Sequence, residues 1–336
     1  MSRIESIRQR LGALDALLVT DPISIRYASG FAITDGAALI GRSGAWFITD
    51  SRYVEAAQSA VADMDVLCTS QERKLSDILT ELIAAAGPRI GAEETRLSHK
   101  TWLSMEESFG VTFTPAADIL AGMRASKDEA EVSDMISAQR IAEKALDEVL
   151  GLLRPGMTEK AVAAELVYRM YKYGGEANSF DPIVVTGAKT SLPHGVPGEK
   201  VIQAGDFVTM DFGTMFNGYC SDMTRTFYCK SQAPEEKVIY DLVYEAQENA
   251  IAAIKPGVRF CDIDAEARKV INGAGYGEYW KIRLGHFIGQ VDHEKGDVSP
   301  TNQSVAEPGM IFSIEPGIYI PGKYGVRIED LVLVTE

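Results

Sequence analysis

Asp211 and Asp222 stand in VTMDFGTMFNGYCSDMTRTF, residues 208–227, a stretch apolar enough for two half-buried strands. Asn217-Gly218 reads as a two-residue hairpin turn. With that turn, position 216 faces 219 and Asp222 faces Gly213. Asp211 then falls on the same face as Asp222, diagonal to it, at about 7–8 Å between Cα atoms. Two carboxylates leaning together in a poorly hydrated place repel, and each costs several kcal/mol or takes up a proton. A hard or borderline divalent cation removes that conflict.

A weak internal repeat doubles the pattern. LRPGMTEKAVAAEL from Leu153 and IKPGVRFCDIDAEA from Ile254 carry Pro-Gly pairs at 155/156 and 256/257, an offset of 101. KVIQAGDFVTMDFG (200–213) resembles SVAEPGMIFSIEPG (304–317) at an offset of 104. The second offset maps Asp211 onto Glu315, and the turn and strand of KYGVRIEDLVLV set Glu329 roughly where Asp222 sits. Four converging carboxylates call for more than one positive ion, or for a metal with partners. Of four histidines, His194 (SLPHG), His286 (RLGHFIG) and His293 (QVDHE) share this part of the chain, which suits one imidazole ligand supported by two others. His99 reads as structural.

Around these residues the sequence punctuates into elements. Residues 3–12 read as helix, DALLVT (15–20) as a buried strand, GAALIGRSGAWFITDSRY (36–53) as a hairpin, and KLSDILTELIAAAG (74–87) as a helix stopped by glycine. A small α/β domain over 1–126 is expected, then a long amphipathic helix, with a boundary near Lys127 and a second domain over 127–336.

The whole chain has 336 residues, 46% hydrophobic, with a net charge of −15 and no Lys/Arg run. This argues against disorder and against nucleic acid as a partner. No apolar segment reaches the roughly 18 residues of a membrane span, and the N-terminus has neither a long apolar run nor a small-residue cleavage site, so a cytoplasmic protein without a membrane partner is expected. Cys68, Cys220, Cys229 and Cys261 form no CxxC pair and read as buried reduced thiols.

FDPIVVTGAKTSLPHG, GDFVTMDFG, GYCSDMTRTF, LGHFIG, FSIEPGIY and VRIEDLVLV, in that order, resemble the pita-bread metallopeptidases, and among them the Xaa-Pro peptidases of the aminopeptidase P and prolidase type. ALLVTDPISIRYASGF and WFITDSRY resemble the creatinase-type N-terminal domain. The resemblance implies an α/β N-terminal creatinase-like domain plus an α+β pita-bread C-terminal domain with a pseudo-two-fold repeat. It implies two divalent metal ions, manganese first and cobalt or zinc as alternatives, held by Asp211, Asp222, His286, Glu315 and Glu329. It implies hydrolysis of Xaa-Pro bonds in short proline-containing peptides by a hydroxide between the metals, with Glu315 moving the proton and His194 and His293 contacting substrate and oxyanion. Arg327 takes an orienting or carboxylate-binding role, and Tyr219 and Thr224 are candidate ligand-orienting residues. A homodimer is expected, bordered by Asp50, Arg52 and Tyr53.

The chain departs from the family pattern at Phe287, where glycine usually follows the ligand histidine, and at Ile282, Gln290 and Lys295-Gly296. Phe287 is therefore expected to wall the substrate pocket. Phe287 and Gln290 keep open a same-fold hydrolase of a small non-peptide amide, creatinase- or ectoine-hydrolase-like; a catalytically silent peptide-binding relative would normally have lost ligands. Family members usually continue briefly past the last ligand strand, so an end at Glu336 is expected to weaken it.

Overall fold

The computed structural model describes residues 2–230 and 233–336, and the chain divides into two compact units after Met123. In the first unit six strands form one mixed sheet in the order Asp65–Cys68, Ala45–Thr49, Ala37–Gly41, Ala16–Val19, Ile90–Ala92 and Phe113–Pro115. All four residues of Ala16–Val19 are buried. Leu17 and Val19 feed one apolar cluster while Ala16 and Leu18 feed another, as the two-residue period of a strand covered on both faces requires. The expected hairpin and helices are present as Ala37–Gly41 with Ala45–Thr49, Arg3–Arg10 and Leu75–Ala86. In this unit Arg52 is held by Asp50 and Asp35.

The second unit contains the helix Glu129–Leu152, whose N-terminus is closed by Asp128 and Glu131 bonding each other's backbone N–H groups. Helices Glu159–Lys172 and Phe260–Gly273 follow the two Pro-Gly pairs, so the sequence repeat is also a repeat of structure. Each is followed by antiparallel strands. In the first half these are Ile183–Thr186, Phe207–Phe212 and Met223–Tyr228. In the second half Ile311–Ile314 pairs with Asp330–Leu333, Gly317–Ile320 with Tyr324–Arg327, and Gly285–His286 with Asp297–Val298. Helix Pro234–Ala252 packs with Phe260–Gly273 over the second set, around Phe260, Phe312 and Trp280.

One expectation is corrected here. All four cysteines are free, but Cys68 is exposed and Cys261 only partly buried, because strand Asp65–Cys68 lies at the sheet edge. No helix among the described residues is long and apolar enough to cross a membrane.

Candidate metal centre

The first hairpin has the register that its turn dictates. Asn217 (φ 46°) and Gly218 (φ 73°) both take the left-handed conformation that a tight two-residue turn demands. Phe216 pairs with Tyr219, and Asp211 with Thr224. The same register sets Asp222 opposite Gly213, where a Cβ would stand 1.9 Å from the Ser221 carbonyl oxygen, so the strands close only with glycine there. Asp222 is 3% exposed.

The second hairpin differs. Ile314 pairs with Asp330 and Gly317 with Arg327, and the common register puts Glu315 opposite Glu329. Glu329 thus occupies the place of Thr224 in the first half, not that of Asp222. The two meet directly: the Thr224 hydroxyl donates to Glu329 Oε2 at 2.6 Å. Thr224 therefore fixes a carboxylate, as anticipated. Tyr219 instead bonds a carboxylate outside the candidate ligands: its hydroxyl donates to Glu131 at 2.6 Å.

His286 comes from the short strand between the hairpins. Its Nδ1 lies 3.2 Å from the Phe287 carbonyl, which places the proton there and leaves Nε2 as an acceptor. Nε2 faces Asp222 at 3.3 Å and Glu315 at 3.6 Å. Burial, then the neighbouring His293, pull the His286 pKa down to about 3, so the ring is a neutral donor of a lone pair. The ligand atoms of Asp222, His286 and Glu329 all lie within 4.8 Å of one another. Asp222 Oδ1 and Glu329 Oε1 are buried with no hydrogen-bond partner among the described residues. Burial, then repulsion from neighbouring carboxylates (Glu329 on Asp222, Glu315 and Asp211 on Glu329), raises the pKa values of Asp222 and Glu329 well above the usual carboxylate range, and burial raises Glu315 to about 7. Orphaned acceptors, a neutral imidazole and surplus negative charge are the conditions that a divalent cation relieves, and this donor set fits one.

These groups line one cavity of about 550 Å³, which also collects Asp211, His194, His293 and Arg327. Arg327 is 4% exposed and fully engaged: it donates to Asp211, Thr224, the Tyr319 hydroxyl and the Pro193 carbonyl. It orients Asp211, and its donors are spent on the protein.

Phe287 is not in the cavity wall. In a strand, the residue after an inward-facing one points the other way; the ring packs on Phe260 and Phe312 at 5.3 and 5.6 Å between centroids. Gln290 is buried and donates to the Tyr219 hydroxyl. Neither departure from the family pattern reaches the lining. Glu294, one residue past His293, receives Arg124 (2.7 Å) and Lys127 (3.2 Å) and the Gln290 backbone N–H (3.1 Å). This buried network ties the His293 segment to the start of the unit.

Two lining residues escaped the motif reading, Arg283 and Asp292. Arg283 contacts His293 Nε2 at 3.3 Å, and among the described residues no carboxylate lies within 4.0 Å of its guanidinium. Asp292 Oδ2 lies 3.7 Å from His293 Nε2.

Residues 133–336 match the model of metallopeptidase family M24, and residues 3–126 that of the creatinase/prolidase N-terminal domain. Uncharacterized peptidase YqhT of Bacillus subtilis (strain 168) is 37% identical over 99% of this chain and 95% of its own length. Among solved structures, a Xaa-Pro dipeptidase from Bacillus anthracis superposes with a TM-score of 0.96 at 38% identity, covering 99% of this chain and 94% of the other. An X-Pro aminopeptidase from Thermotoga maritima MSB8 superposes with a TM-score of 0.92 at 36% identity, covering 98% and 95%.

Proposed function

The chain belongs to metallopeptidase family M24, with a creatinase/prolidase N-terminal domain, and on that premise we propose that it hydrolyses the bond before proline in short peptides. Residues 127–336 are the catalytic domain in this reading. The observation that carries it is the pair of orphaned buried oxygens on Asp222 and Glu329 beside the free Nε2 of His286.

The ligands are Asp211, Asp222, His286, Glu315 and Glu329, and the oxygen-rich set suits two manganese ions, with cobalt or zinc as alternatives. Such ions, when bound, polarise the scissile carbonyl and make water nucleophilic near neutral pH. Glu315, a carboxylate lining the cavity, accepts the proton of the attacking water and passes it to the leaving proline nitrogen. His293 and His194, exposed at the cavity mouth, hydrogen-bond the substrate and the developing oxyanion. Arg327 holds Asp211 in place. A dipeptide panel, run with manganese and then with chelator, tests this: Xaa-Pro substrates are expected to be cleaved and the activity lost with chelator. Cleavage of Ala-Ala as fast as Ala-Pro, or no hydrolysis of either, overturns the proposal.

Arg283 decides between dipeptides and longer peptides. It is a cavity arginine with no carboxylate within 4.0 Å among the described residues, and a guanidinium presents a planar fork to a free carboxylate. In Ala-Pro that carboxylate ends the substrate; in Ala-Pro-Ala it lies one residue farther. Arg283→Ala is expected to raise KM for Ala-Pro by about 10–100-fold, the size of a charge-assisted hydrogen bond, and to change KM for Ala-Pro-Ala far less. Equal effects on the two substrates count against the assignment.

A further inference from the structure

We propose that Asp292 is a further metal ligand, a carboxylate that extends the donor set on the His286–Asp222 side of the centre. The inference rests on the reading of this site as metal-holding and goes beyond the five ligands above.

Asp292 lines the same cavity. A carboxylate oxygen of Asp292 and ring nitrogens of His286 and His293 all lie within 4.8 Å of one another. Donors around one ion at about 2.0–2.6 Å stand no farther apart than roughly twice that distance. Asp292 Oδ1 is buried and has no hydrogen-bond partner among the described residues. Asp222, whose side chain is 5% exposed and whose Oδ1 is likewise unpartnered, lines the same cavity. Buried carboxylates that share one cavity repel, and a cation relieves them.

An ordinary salt bridge does not account for Asp292. Arg283, the nearest candidate, aims a guanidinium N–H at His293 Nε2 instead, at 3.3 Å, and the one ion-pair contact of Asp292 is with that same imidazole. Charge balance points the same way. Arg327 offsets Asp211 by direct contact, which leaves Asp222, Glu315 and Glu329. Asp292 adds a fourth carboxylate that no Lys or Arg contacts within 4.0 Å among the described residues, a donor set suited to two divalent ions. His293 stands edge-on to His286 with ring centroids 4.0 Å apart, so both imidazoles border the place proposed for the ion.

The test is manganese binding to the metal-stripped full chain, read by calorimetry and by the electron paramagnetic resonance signal of free Mn²⁺. Wild-type protein is expected to bind two ions. Asp292→Asn and Asp292→Val are expected to weaken one of them by about 10–100-fold, the range seen when a supporting carboxylate is removed from a metal site, and to leave the other unchanged. The Asn variant keeps the shape of the side chain, so its metal-free melting temperature serves as the check that the site is still folded. Wild-type affinity for both ions in both variants overturns the proposal. A raised KM for peptides with unaltered manganese binding also overturns it, and reassigns Asp292 to the substrate's amino group. Wild-type chain that binds no manganese is a separate result, which removes the metal reading as a whole.

Discussion

Saturating manganese is expected to raise the melting temperature of the metal-stripped protein by about 8–16 °C at pH 8, and by much less at pH 5. A ligand at a thousand times its dissociation constant contributes about 4.1 kcal/mol, and in a domain of roughly 200 residues each kcal/mol moves the midpoint by about 2–4 °C. The pH dependence follows from the carboxyl groups. Asp222 is raised by burial and then by the charge of Glu329, Glu329 by burial and then by Glu315 and Asp211, and Glu315 to about 7 and Asp292 to about 6, both chiefly by burial. A raised folded-state pKa means that the folded protein holds protons that the unfolded chain, near pH 4, has released. Their contribution to stability is fully present below about pH 4 and is lost as pH rises through about 6 to 7. The metal-free protein is therefore least stable at pH 8, where cations gain most by replacing the missing protons. Differential scanning fluorimetry across pH 5–8, with and without manganese, measures both slopes. A metal-induced gain that is flat with pH would falsify the assignment of these carboxyls to the cation.

Glu315→Gln is expected to lower kcat on Ala-Pro by about 10²–10⁴-fold, the worth of a positioned acid–base group, while KM moves only a few-fold. The amide keeps the side-chain volume and one oxygen donor, so manganese still binds. What it loses is a site for the proton, which the flanking Ser313 hydroxyl at 3.3 Å from Glu315 cannot replace. A kcat within tenfold of wild type, with metal content confirmed, removes Glu315 from proton transfer.

The sequence carried the first half of this site almost to the residue. A two-residue turn leaves no freedom of register, and Asn217-Gly218 announces one; hence Asp211 faces Thr224 as the turn requires. The second half was less legible because its hairpin has no such turn. The repeat located Glu315 and Glu329, but the pairing of Glu329 with Glu315 in place of a diagonal depends on the three-residue turn 321–323 between Gly317–Ile320 and Tyr324–Arg327, which the first half does not have in that form. Phe287 was misjudged through the motif, although alternation from an inward His286 already turns position 287 toward the core. Asp292 and Arg283 lie outside regular strands, where no periodicity assigns a face, and only the folded chain reveals that they share the cavity.

The donors of this site are divided between the repeats: Asp211 and Asp222 from one, His286, Glu315 and Glu329 from the other, about a hundred residues apart in the chain. On the proposed ligand set, an ion seated among them is a crosslink joining two half-structures, and its loss removes a tie as well as a reagent. Separately expressed halves of this unit would then reassociate only when the ion is supplied, and protease nicking between the repeats would be slower in its presence.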